Sequence, residues 1–181
     1  MSFMPEPVTP LGTYYAQTSP RVGSVLARRS LGTLDAVTIG RYALTIGASD
    51  LAHYDPEAAR AAGHADVVAP PNLLASIVEW GVGTPEAQLA PDGTPHNGEM
   101  PLGGDLGLRV MGAGEEMELV NPVIAGTDLV LETTLEAVTP KQTRSGPRVF
   151  VTALKTFTSA EGAVLNRNRS TVVLRNPLQE S

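Results

Sequence analysis

The sequence predicts an α+β fold in which an antiparallel β-sheet wraps a central helix, and three observations predict it. The first half of the chain carries apolar residues at helical spacing with capping residues beside them, whereas from Leu106 onward the pattern becomes period-two and β-branched. The strand candidates follow one another across short turn signals, which favours antiparallel pairing. A helix introduced by Pro70, Pro71 and Asn72 has apolar residues nearly all round (Leu73, Leu74, Ile77, Val78, Trp80). Such a helix must be covered on several sides, and one curved sheet covers only part of it.

Taken in order, residues 1–21 carry Pro5, Pro7, Pro10 and Pro20 and read as an irregular arm. Tyr14 and Tyr15 are placed to anchor that arm, or a short helix over residues 11–17, to the body or to a neighbouring subunit. Residues 22–34 suit a first strand and turn. Thr38 reads as the N-cap of a short helix over residues 39–46, with Gly47 at the position after its end. Asp55 followed by Pro56 and Glu57 marks a second short helix, closed by Gly63. The segment GHADVVAPP is irregular, and the central helix follows, ended by Gly81 and Gly83. Residues 84–104 form a Pro/Gly-rich loop, and a connection of that length usually has a role such as lid or partner contact.

Five strand candidates then follow: LGLRVM, MELVNPVI, DLVLETTLEAV, VFVTALKTFTS and VLNRNRSTVVLR. The turns between them are GAGE, AGTD, the longer PKQTRSGP and AEGA. One domain over residues 22–176, with a short tail at 177–181, accounts for the whole pattern.

Composition narrows the function. The chain has 181 residues, 42% hydrophobic and 18% charged, as a globular domain should. With 13 Lys+Arg against 19 Asp+Glu, its net charge is -6, and no basic run extends beyond Arg28 and Arg29. Nucleic acid is therefore not the expected partner. The absence of cysteine removes disulfides and thiolate chemistry and fits a reducing compartment. Neither a signal peptide nor a membrane-length apolar run is visible, so a cytoplasmic protein is expected.

The chemistry concentrates in residues 46–79. His53 lies between Asp50 and Asp55, and histidine is the side chain able to take and return a proton near neutrality. Asp50 is the candidate partner carboxylate, though a turn-capping role suits it equally, and Asp55 is the expected helix cap. Asp66 reads as a loop residue bonding backbone amides, and His64 and His96 as solvent-exposed. No ligand spacing among these groups supports a metal site.

A helix ending in Gly, an acid- and His-bearing loop, D-P-E-A-A-R-A-A-G, then D-V-V-A-P-P before a buried helix resembles the MaoC-like dehydratase and (R)-specific enoyl-CoA hydratase family. Gly103 and Gly104, the GDLGLR strand, N-P-V-I-A-G-T-D-L and the closing R-S-T-V-V-L-R agree in order, and the resemblance spans roughly residues 20–176. It implies a hot-dog fold, an antiparallel sheet around a long central helix, that dimerises. It also implies reversible hydration of trans-2-enoyl thioesters of coenzyme A or acyl carrier protein, with no further cofactor.

Laid on the family motif G-D-x-N-P-x-H, Gly47 and His53 match, while Ala48, Asp50 and Leu51 stand where Asp, Asn and Pro belong. Ala69-Pro70-Pro71 replaces the His-Gly step of catalytic members and is similar to the family's N-terminal, substrate-accommodating halves. These pair with a catalytic half in a double hot-dog or heterodimer. The resemblance thus implies His53 as base, Asp50 as partner, and Ala69, Pro70, Asn72 and Leu73 as substrate-binding residues in a homodimer or heterodimer. A non-catalytic subunit that shapes the acyl pocket is the alternative. An acyl-CoA thioesterase is a further one, with Glu79 as its helix-borne carboxylate.

Overall fold

The computed structural model describes residues 9–77, 85–89 and 99–177. Five strands form one antiparallel sheet: β1 (Val25–Thr33), β2 (Arg109–Leu119), β3 (Asp128–Thr143), β4 (Gly146–Ser159) and β5 (Val164–Arg175). Their order is β1-β3-β4-β5-β2, so β3, β4 and β5 form a meander while β1 and β2 take the two edges. The expected α+β arrangement holds, but the strand count is corrected. The RVM of the first candidate and the MEL of the second belong to one strand, β2. The expected GAGE turn is a bulge, where the register against β5 slips between Gly112 and Gly114. Gly114 sits there at φ +152, a backbone region that favours glycine. PKQTRSGP is likewise strand nearly throughout, with Thr143 pairing Gly146 across a tight turn.

The sheet's inner face follows from alternation. On β4, Val149, Val151, Ala153 and Phe157 are buried, and on β3 so are Leu129, Leu131, Thr133 and Leu135, with Leu131 facing Phe157 and Leu135 facing Ala153. A bulge at Glu136 on β3 resets the phase, so that Val138 again meets Val151 on the inner side.

Two apolar clusters cover this face. In one, Leu73 and Leu74 of α4 (Leu73–Ile77) and Ile39 of α2 (Ala36–Thr45) pack on Leu129, Leu131, Phe157 and Leu165. In the other, Leu11 and Tyr14 of α1 (Pro10–Thr18) pack on Leu135, Val138, Val149, Val151 and Leu174. Of the two readings of residues 9–21, an irregular arm or a short helix anchored by its tyrosines, the structure has the helix, with Tyr14 buried against the sheet. Its Thr9 caps the Gly12 N–H, Pro10 takes the first turn, and Asn176 Oδ1 accepts from the Leu11 N–H at 2.9 Å.

The central helix starts at Leu73 as expected. Ile77 ends its described part, and Val78, Glu79, Trp80, Gly81 and Gly83 lie outside the described residues. The cap of α2 is Asp35, not Thr38: the Asp35 carboxylate accepts from the Thr38 N–H and hydroxyl. Those hydrogen bonds hold its pKa below the ordinary value. Among the described residues, no helix is long and apolar enough to cross a membrane.

Candidate functional site

His53 ends a single 3₁₀ turn, Leu51–His53, between α2 and α3 (Pro56–Ala61). Gly47 makes the preceding corner at φ +68, and Asp50 caps the turn, its Oδ1 accepting from the Ala52 N–H at 2.9 Å. After His53, Asp55 caps α3 through the Glu57 N–H, and Gly63 closes it at φ +90. Both caps lie within three residues of His53, which fixes the backbone that carries it.

The turn is laced to the segment that leads into α4. Val68 donates its N–H to Ala52 O at 2.9 Å, and His53 Nδ1 lies 2.6 Å from Val68 O. A carbonyl accepts only, so Nδ1 carries the proton and neutral His53 presents its Nε2 lone pair. Among the described residues Nε2 has no partner. Val68 also bridges Ile124, and Ala69 donates to Val123 O at 2.8 Å, so the segment is held against the body of the sheet. The half-buried imidazole is thereby oriented by a main-chain carbonyl, and among the described residues no carboxylate bonds the ring itself.

Of the residues expected at the site, Ala69, Pro70 and Leu73 are buried, whereas Asn72 is exposed. The Leu73 N–H donates to Pro70 O at 3.0 Å, while no backbone carbonyl among the described residues accepts from the Asn72 N–H. That amide remains available to an oxygen at the start of the helix. Below it, Asn166 of β5 places its Nδ2 3.4 Å from Pro71 O and ties the helix start to the sheet. Asp50 is not joined to His53: its carboxylate faces the Ala52 N–H, and no hydrogen bond or ion pair links the two side chains. Asp66 accepts from the Val67 N–H, as a loop residue should, and His64 is half-buried rather than exposed. His96 lies outside the described residues.

Two contacts escaped the sequence. Tyr54 donates its hydroxyl to Ala48 O at 2.7 Å, and its ring stands edge-on to His53 at 6.5 Å between centroids. Its position directly after His53 was the available signal. Val68 O, which orients the imidazole, has no residue-type signature at all. A depression of about 500 Å³ lined by Ala65, Asn121, Ile124, Asp128 and Glu161 does not include His53 or Asn72. Among the described residues, no group of three His, Asp or Glu is placed to hold a metal ion.

Comparison with known proteins places this geometry in a family. The model for the FAS1-like dehydratase domain region matches residues 22–167. A UPF0336 protein of Parafrankia sp. strain EAN1pec is 34% identical over 139 residues, 76% of this chain and 80% of the relative. A MaoC-like dehydratase from Rhodospirillum rubrum is 29% identical, with a TM-score of 0.60 over 87% of this chain and 94% of that one. The ChsH1-ChsH2 complex from Mycobacterium tuberculosis shares the fold, with a TM-score of 0.70 and 20% identity over 94% of this chain and 98% of the matched chain. The five-stranded sheet in the order β1-β3-β4-β5-β2, packed against the start of a central helix, is accordingly a hot-dog fold, and the chain belongs to the FAS1-like, MaoC-like dehydratases.

Proposed function

We propose that the chain adds water reversibly across a trans-2-enoyl thioester, with His53 as the proton carrier, as one subunit of a hot-dog dimer. The observation that carries this reading is the His53 ring, with Nδ1 committed to Val68 O and Nε2 without a partner among the described residues. In hydration, Nε2 takes a proton from water as the water oxygen bonds to C3, and the alkene electrons move to the thioester oxygen. The Asn72 N–H donates to that enolate oxygen, and the imidazolium returns its proton to C2. Water is added as H and OH, and dehydration runs the same steps backward. Asp50 acts by holding the turn that carries His53, while Ala69, Pro70 and Leu73 form the wall beside the acyl group. The thioester carrier, coenzyme A or acyl carrier protein, comes with the substrate, and the chemistry requires no other cofactor.

Ala48 favours a second reading. It stands where the family motif has its acid, and the matched solved structure from M. tuberculosis is a complex of ChsH1 with ChsH2. In this reading a partner hot-dog subunit carries the acid and base, and the present chain shapes the acyl pocket. Assaying the purified chain alone with crotonyl-CoA and with a bulky enoyl-CoA separates the two. Turnover that depends on His53 supports the first, and turnover that appears only when a second hot-dog subunit is added supports the second. Release of free coenzyme A would instead point to a thioesterase, for which Glu79, outside the described residues, is the candidate carboxylate.

A further inference from the structure

Between the two apolar clusters, a row of polar side chains crosses the inner face of the sheet. On β4 it is Lys155, two residues from both Ala153 and Phe157, each fully buried. Its direct cross-strand neighbours are Thr133 on β3 and Asn168 on β5. The row continues to both edges. Thr133, fully buried, donates to Glu99 Oε2 at 2.7 Å, and Glu99 pairs with Arg29 of β1 at 3.0 Å. Asn168, 3% exposed, donates from Nδ2 to Glu115 Oε1 of β2 at 2.7 Å.

Two groups in the row are left over. A carboxylate accepts only, so Glu115 forces the Asn168 amide to turn Nδ2 toward it and Oδ1 away. Oδ1 is buried and has no hydrogen-bond partner among the described residues. At the register position paired with Asn168, Lys155 has no hydrogen bond or ion pair among the described residues. Buried acceptors without partners are uncommon and costly, and here one sits on the strand next to a cation that has no partner among the described residues. Lys155 is half-buried, so the row is reached from outside at that residue.

We infer that Lys155 and Asn168 together read a hydroxyl group on the acyl part of the thioester. This rests on the function proposed above. A hydroxyl accepts from the Lys155 ammonium and donates to Asn168 Oδ1, completing both at once. A carboxylate would face Oδ1 and Glu115 across the same gap, and a ketone would leave Oδ1 unpaired. The charges in the row already balance, with Arg29 and Lys155 against Glu99 and Glu115, which also favours a neutral group. The row also runs toward the start of α4: Asn166 Nδ2 lies 3.4 Å from Pro71 O, and Asn168 is the next residue on the same strand face, about 7 Å further on.

The test measures binding of octanoyl-CoA and its terminally hydroxylated counterpart by calorimetry, since neither saturated thioester can be hydrated. The wild-type protein should bind the hydroxylated ligand about tenfold more tightly. Lys155→Met, which keeps the stem and removes the charge, should abolish that preference and leave octanoyl-CoA affinity unchanged. Asn168→Leu should remove the preference as well. Equal affinities in the wild type, or a preference that survives Lys155→Met, overturn the proposal while His53-dependent hydration still stands. Failure of both thioesters to bind removes the function and this inference together.

Discussion

Tyr14 and His53 each place one polar side-chain atom on a main-chain carbonyl, and the two differ in what is left open to a further partner. Tyr14 donates its hydroxyl to Pro101 O at 2.5 Å and is 2% exposed. Its ring fills the cluster beneath α1, and Gly103 lies so close that an added Cβ would meet the ring at 2.8 Å. Burial pushes the phenol up to about 12, against the hydrogen bond from Thr18 and the Arg21 charge. The phenol's donor is engaged and its proton is held. His53 makes a similarly short contact to Val68 O, yet it is half-buried and keeps a second nitrogen without a partner among the described residues. Fixing one nitrogen leaves the other aimed, and that residual valence is what proton transfer requires.

Substituting both residues should separate activity from stability. His53→Gln should lower kcat/KM for an enoyl thioester by about 10²- to 10⁴-fold, with a melting temperature close to that of the wild type. Tyr14→Ala should do the reverse. It empties a packed site between α1 and β3, at a cost of about 3–5 kcal/mol, while turnover well below the melting temperature persists. Thermal melts and initial rates on the two proteins check the pair. A Tyr14→Ala protein that melts normally would mean that α1 adds nothing to the core.

Alkaline pH should reveal the same contrast more gently. The folded Tyr14 phenol titrates near 12, whereas in the unfolded chain it ionises near its ordinary value of 10.0. The unfolded state therefore loses its proton first as pH rises. The stability tied to this group is complete below pH 10 and is lost as pH climbs through the folded value. The two-unit gap corresponds to roughly 2–3 kcal/mol once both states are ionised. Melts from pH 9 to 11.5 should show the decline beginning near pH 10, and Tyr14→Phe should flatten it.

How much of this was legible in the sequence differs between local and long-range features. Asp55 and Gly63 mark α3 correctly because a cap and a closing glycine act within one turn. The start of α2 was read at Thr38 because the apolar pattern begins at Ile39. Asp35 actually caps it, and the first turn shows no apolar period because Val37 points to solvent at 59% exposure. The pairing of β2 with β5 spans a separation that no local period encodes, so a simple meander was expected and two strands were read where one bulged strand stands. At the site, His53 was visible by residue type, but its orienting partner is a backbone carbonyl, which any residue supplies. Asn166 and Asn168, at strand spacing in VLNRNRS, did carry a signal: two amides on one face of a strand.

Asp50 sharpens the comparison, because the sequence could not tell a capping carboxylate from a catalytic one. The structure gives its Oδ1 to the Ala52 N–H, and an amide oxygen can accept the same bond. Asp50→Asn should therefore keep both the turn and the His53 contact to Val68, with stability and turnover near wild type. Asp50→Ala removes the acceptor and should cost about 1 kcal/mol, with a several-fold fall in kcat as the His53 turn loosens. Titrating kcat against pH in the Asn variant decides the matter. If Asp50 only holds the turn, the profile keeps its shape. If the carboxylate exchanges a proton with substrate or with His53, the Asn variant will lose activity as severely as His53→Gln, and Asp50 will join His53 as a catalytic residue.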